Sequence, residues 1–180
     1  GMSSTGGAGG RQSVTFSDFN SASLNGADGA DDISVTSLAV FTTTLTVAGD
    51  SPTGTSGDTL HVEGTAAGET IAVTGNTITV GGAGAITYGT IESLSLDAAG
   101  GTDTITVTGS TAYDYTPGSS ADAGSLLADS LPITFSNLGA GETLDLDGTS
   151  LVAHGTDSDN TLVLGANLTV DGRVNITRTN

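Results

Sequence analysis

The feature that most constrains this chain is a gapless match of the sequence to itself. Residues 14–35, from Val14-Thr15-Phe16 to Asp31-Asp32-Ile33-Ser34-Val35, align on residues 86–107, from Ile86-Thr87-Tyr88 to Asp103-Thr104-Ile105-Thr106-Val107, at a shift of 72 residues. Identities include Ser21/Ser93, Ser23/Ser95, Leu24/Leu96, Gly29/Gly101, Asp31/Asp103, Ile33/Ile105 and Val35/Val107. A looser copy opens at Ile133-Thr134-Phe135, passes through Leu144-Asp145-Leu146 and ends near Leu162-Val163-Leu164. Self-similarity of this kind marks units that cannot bury an apolar face alone and must stack on their neighbours. The shift of 72, and the 47 residues from Ile86 to Ile133, both approach multiples of a unit of about 24 residues, the size of one solenoid coil.

Inside each copy the pattern has a period of two. Asp103-Thr104-Ile105-Thr106-Val107-Thr108-Gly109, Glu69-Thr70-Ile71-Ala72-Val73-Thr74-Gly75, Asn76-Thr77-Ile78-Thr79-Val80-Gly81 and Asp58-Thr59-Leu60-His61-Val62-Glu63-Gly64 all alternate aliphatic with polar residues. Such segments are short strands with one face buried, and threonine suits the outward positions because its β-branch fits the pleat. An acid or amide opens each segment and glycine closes it, which places turns at both ends. With 4% aromatic residues and no tryptophan, the core has to be built of Val, Ile, Leu and Ala.

This reading gives an all-β chain, a β-solenoid or parallel β-helix of about 6–7 coils. The alternative is two β-sandwich modules divided near 110–132. A solenoid coil of this size predicts parallel pairing of Ile71-Ala72-Val73 with Leu94-Ser95-Leu96, whereas a sandwich pairs sequence neighbours antiparallel. Residues 1–12, opening Gly1-Met2 and rich in Gly and Ser, read as a cloning remnant and a flexible leader. Residues 13–180 form the β-repeat domain, with an inserted loop at about 110–132 where alternation lapses. Within that stretch 121–129 is the one helix candidate, ahead of Pro132.

Composition narrows function more than it identifies it. Three arginines and no lysine face twenty acids, a formal charge of −17. Nucleic acid and anionic membranes need cationic side chains against phosphate, so neither is an expected partner. No apolar run reaches the roughly 20 residues that span a bilayer. Without cysteine or lysine there is no disulfide, thiolate ligand, cysteine nucleophile or Schiff base.

The two histidines, His61 and His154, lie far apart in sequence, and the arginines Arg11, Arg173 and Arg178 sit near the chain ends. Glu92, Asp97, Asp145 and Asp147 are candidates for glycoside chemistry by residue type alone. The expectation is a non-enzymatic protein with no required cofactor.

The stretches 58–75 and 86–107, with their Asp-Thr-Ile-Thr-Val and Tyr-Gly-Thr-Ile-Glu-Ser-Leu motifs, resemble repeats of large bacterial exported or surface proteins, of the haemolysin-type or autotransporter-like kind. The likeness covers most of 14–177 and is weakest over 110–132. It implies export, an extracellular or cell-surface location, and a structural or adhesive role beside other segments of a longer parent chain. A bare solenoid end also exposes strand edges, so end-to-end self-association is expected.

The alternative is a ligand-binding module for glycan, calcium or ice. Calcium would draw on Asp28, Asp31, Asp32, Asp103, Asp157 and Asp159, although Gly100-Gly101-Thr102-Asp103 departs from the haemolysin-type nonapeptide by lacking a glycine before its aspartate. Glycan would meet Tyr113, Asp114 and Tyr115 on the inserted loop. Ice would meet a threonine face, with Thr42-Thr43-Thr44, Thr77/Thr79 and Thr104/Thr106/Thr108 stacked as in ice-binding solenoids.

Overall fold

The computed structural model describes residues 19–36, 42–51, 57–120, 122–139 and 143–155, together with the backbone of 162–166 and 174–178. Among these the secondary structure is β throughout, in two mixed sheets. In chain order the strands are β1 Ser21–Asn25, β2 Asp32–Val35, β3 Thr44–Ala48, β4 Thr59–Glu63, β5 Thr70–Thr74, β6 Thr77–Val80, β7 Ile86–Gly89 and β8 Ser93–Asp97. There follow β9 Thr104–Thr108, β10 Ala112–Pro117, β11 Gly124–Ala128, β12 Leu131–Ser136, β13 Thr143–Leu146, β14 Ser150–Ala153, β15 Leu162–Ala166 and β16 Val174–Arg178.

The nine-stranded sheet has the order β1-β3-β7-β6-β5-β9-β13-β16-β15, and the seven-stranded sheet β14-β10-β11-β12-β8-β4-β2. Neither order closes into a ring. The chain crosses between the sheets at most of its connections, so strands that pair across such crossings are two or more apart in sequence. Two meanders and a closing hairpin interrupt this alternation, β5-β6-β7 and β15-β16 in the larger sheet and β10-β11-β12 in the smaller. In each meander, the last strand returns beside an earlier strand of its sheet and the first is left to pair with a later one. Thus β7 lies parallel to β3 and β5 to β9, while β12 lies parallel to β8 and β10 to β14.

Alternation decides which side chains are buried. Leu60 and Val62, Ile71 and Val73, Ile105 and Val107, and Ile133 and Phe135 point inward and join one continuous core fed by both sheets. Each fully buried aliphatic side chain contributes about 1.5–3 kcal/mol. Two phenols finish the core with paired hydroxyls. The Tyr88 hydroxyl donates to Gly75 O at 2.8 Å, and the Tyr113 hydroxyl lies 2.9 Å from Val107 O and Asp147 O. Tyr115 stacks on Phe135 with ring centroids 6.3 Å apart.

Corners follow from local chemistry. Just beyond several strand ends the backbone takes a left-handed step, at Ala27, Asp50, Thr90, Ala99 and Asn137. Asn25 and Asp97 hold two of these turns, their side-chain oxygens accepting from Ala27 N and Ala99 N at 2.8 Å.

Several sequence expectations are corrected here. Stacked partners do not recur every 24 residues: Leu60 follows Ile33 by 27 residues, Leu94 follows Leu60 by 34, and Ile133 follows Leu94 by 39. Residues Ile71–Val73 pair with Ile105–Val107, not with Leu94–Leu96, whose own neighbour on one side is Leu60–Val62; both pairings are parallel. The stretch 110–132 is neither a loop nor a helix but holds β10 and β11 and the start of β12. These strands continue the smaller sheet and the shared core, so they do not divide the chain into two modules.

Candidate functional site

The acids that open the strands form the most organised polar feature. Asp31, Asp58 and Glu92 immediately precede β2, β4 and β8, which are neighbours in one sheet. Asp58 Oδ1 accepts from Asp31 N at 2.7 Å, and Glu92 Oε2 accepts from Asp58 N at 2.7 Å. Backbone bonds run the other way: Thr59 N donates to Asp31 O at 2.8 Å, and Ser93 N to Asp58 O at 3.1 Å. On the other sheet Glu69 and Asp103, preceding β5 and β9, repeat the exchange. Asp103 Oδ1 accepts from Glu69 N at 2.9 Å while Thr104 N donates to Glu69 O at 2.9 Å. The opening amides of Asp31, Asp58 and Glu69 are therefore each satisfied by a carboxylate from a paired strand, as backbone taken from water requires.

These carboxylates are deeply set, Asp58 being 0% and Asp103 1% exposed. The second oxygens of Asp31, Asp58 and Asp103 are buried without a hydrogen-bond partner. Burial raises the Asp103 carboxyl above the ordinary aspartate range and the nearby Glu69 charge adds to this, while the bond from the Glu69 amide opposes it.

Of the expected calcium ligands, those among the described residues have separate surroundings. Asp103 serves its corner, Asp32 pairs with His61 Nε2, and exposed Asp28 lies in a parallel bridge with Ser51. Asp157 and Asp159 lie outside the described residues. Among the described residues no three acidic or histidine side chains converge where a metal ion could be held.

The expected glycan contacts are split by alternation. Tyr113 and Tyr115 point into the core, at 3% and 8% exposed, and leave Asp114 on the outer surface. Asp114 Oδ1 pairs with His154 Nε2 at 2.8 Å. The two histidines are thus each joined to an aspartate on the outside of the smaller sheet. Asp129 caps the start of β10 by accepting from Thr111 and Ala112, and those bonds, led by the Thr111 hydroxyl, hold its carboxyl below the usual range.

The outer faces of the two sheets differ in chemistry. On the smaller sheet Asp32, His61, Glu63, Asp97 and Asp114 stand among serines and threonines. On the larger sheet, β3, β7, β6, β5 and β9 carry no charged side chain at any outward position, and threonine fills most of them. Thr77/Thr79 and Thr104/Thr106/Thr108 lie on this face, as does Thr44. Register aligns one threonine from each of the five strands into a single row, Thr46–Thr87–Thr77–Thr74–Thr108. The Thr74 and Thr108 hydroxyls are 2.9 Å apart.

Acids at the strand openings, accepting backbone bonds in corner turns, are legible in the sequence; what is not is the tie by which Asp58, Glu92 and Asp103 each serve the opening amide of a paired strand. The signal these openings share is the recurring triplet of acid, Thr or Ser, and Leu or Ile, as in Asp58-Thr59-Leu60 and Glu92-Ser93-Leu94. Comparison with family models, curated proteins and solved structures gives no match to this chain. No helix among the described residues is long and apolar enough to cross a membrane.

Proposed function

We propose that the chain is a non-enzymatic structural or adhesive segment of an exported bacterial surface protein, serving as a stiff β spacer. In this reading the two sheets are opposite walls of a flattened β-solenoid into which two meanders are spliced. The observation that carries it is the reciprocal tie between layers at the corners, where backbone and carboxylate bonds lock each turn to the next. Such ties resist sliding and bending, which a spacer needs and a flexible linker lacks. The acidic surface keeps the rod dispersed. The outermost strands, β1 and β2 at one end and β14 and β15 at the other, have one unpaired edge each among the described residues. Neighbouring segments of a longer chain, or a second copy end to end, would add strands there.

Small-angle scattering of the chain tests the spacer, with a rigid, compact-section particle as the expected profile. A profile typical of a flexible polymer would refute it. Saturable turnover of any polysaccharide would refute the non-enzymatic reading.

A further inference from the structure

The threonine row on the larger sheet is a surface that the spacer reading does not use. Five strands contribute Thr46, Thr87, Thr77, Thr74 and Thr108 in hydrogen-bond register, without a gap, across both parallel and antiparallel pairings. Adjacent strands lie about 4.8 Å apart, so the row runs roughly 19 Å, and a second outward row lies about 6.7 Å along the strands. Thr79 and Thr106 belong to that second row, on either side of Ala72. Each position offers a hydroxyl and a methyl on a stiff β-branched side chain, so little rotamer freedom remains to be lost on contact.

From these observations we infer that the outer face of β3, β7, β6, β5 and β9 binds a solid water lattice, an ice surface. A repeated grid of hydroxyls and methyls fits a repeated partner, in which methyls hold water in cages and hydroxyls anchor it. Charge decides the rest. A carboxylate orients water around itself and would break a lattice, and this face carries none although the chain bears twenty acids. A crystalline neutral polysaccharide would call for a row of aromatic platforms, but Tyr88, Tyr113, Tyr115 and Phe135 are buried, and among the described residues Phe19 alone, outside these five strands, is an exposed aromatic. A second copy is a poorer fit, because the face has no large apolar anchor and each copy has a formal charge of −17.

The test uses the full chain joined to a fluorescent protein and a slowly growing ice surface. The fusion should be incorporated into the ice, and the fluorescent protein alone should be excluded. Thr74→Tyr with Thr77→Tyr, which keeps good strand formers, should abolish incorporation while leaving far-ultraviolet circular dichroism and the unfolding midpoint unchanged. Thr87→Lys, a single outward change, carries the same expectation, and Ser95→Tyr on the opposite sheet should leave incorporation intact.

Exclusion of the wild-type fusion from ice overturns the inference, as does incorporation of the threonine variants at the wild-type level. Two further outcomes overturn it in favour of another occupant. One is retention on crystalline cellulose or chitin, without ice incorporation, that the threonine changes remove. The other is a dimer in sedimentation that the same changes dissolve. Incorporation into ice, or its loss, leaves the scattering profile of the chain in solution unchanged, so the spacer reading stands or falls separately.

Discussion

Asp58 gives the sharpest test of the corner ties. Its Oδ1 takes the Asp31 amide at 2.7 Å, while its Oδ2 is buried and unpartnered. That second oxygen and the Thr90 carbonyl oxygen both lie against the face of Gly49. Asp58→Ala removes the acceptor and strands a part-buried amide, a loss of about 2 kcal/mol. Asp58→Asn keeps an amide oxygen for Asp31 and places an NH₂ where the unpartnered oxygen was, close to the Thr90 carbonyl. It should therefore match or exceed the wild type, by up to about 1 kcal/mol. Urea unfolding followed by circular dichroism measures both, with the slope expected to stay constant and only the midpoint to move. In a chain of this size the alanine variant should also melt about 4–8 °C lower. An alanine variant as stable as wild type, or an asparagine variant as weak as alanine, would refute the account of the corner.

Three further outcomes follow from named contacts. Asp103 has a carboxyl raised in the fold, so its protonation favours the native state; that stability is present at low pH and is lost as pH rises through the folded value. Asp103→Asn, keeping the acceptor for the Glu69 amide, should flatten the stability profile just above the ordinary aspartate range, as read from urea midpoints across pH. Gly49→Ala would place a Cβ on Asp58 Oδ2 and the Thr90 carbonyl oxygen and should cost about 1–3 kcal/mol, seen as a lower melting temperature. Tyr113→Phe removes the hydroxyl shared between Val107 O and Asp147 O and should cost about 1–2 kcal/mol in the same assay, with the strand content unchanged.

Strand identity was legible because burial on one face writes itself as alternation. Ile71/Val73, Ile105/Val107 and Leu60/Val62 were assigned inward from sequence and lie inward. Spacing was less legible. The 72-residue match pairs β1 with β8 and β2 with β9, yet the members of each pair lie in opposite sheets. Both walls of the core demand the same in-out pattern, so likeness of sequence does not tell which wall a strand joins. The match of Ile86-Thr87-Tyr88 with Ile133-Thr134-Phe135 behaves in the same way, since these are the closing strands β7 and β12 of the two meanders. Each meander lengthens the chain between stacked partners, and a fixed period cannot represent that.

The stretch 110–132 was misread for a local reason. Tyr113 and Tyr115 do alternate, but phenols resemble a binding surface as readily as a core when nothing shows where their hydroxyls go. Leu126-Leu127 breaks the apparent period because Leu127 is left outside, 43% exposed. The surface candidates divided similarly. A threonine face could be anticipated from composition, but the alignment of its rows depends on antiparallel returns that no spacing rule foretold.

The corner ties also have a direction. At Asp31, Asp58 and Glu69 the opening amide of the earlier strand depends on a carboxylate supplied by a later one. A ribosome delivers the later strands last, so the opening amide of an emerging strand waits unmet until its paired partner arrives. Assembly thus resembles a zip whose teeth close one step behind the slider, each carboxylate arriving after the amide it serves while the carbonyl bonds point the other way.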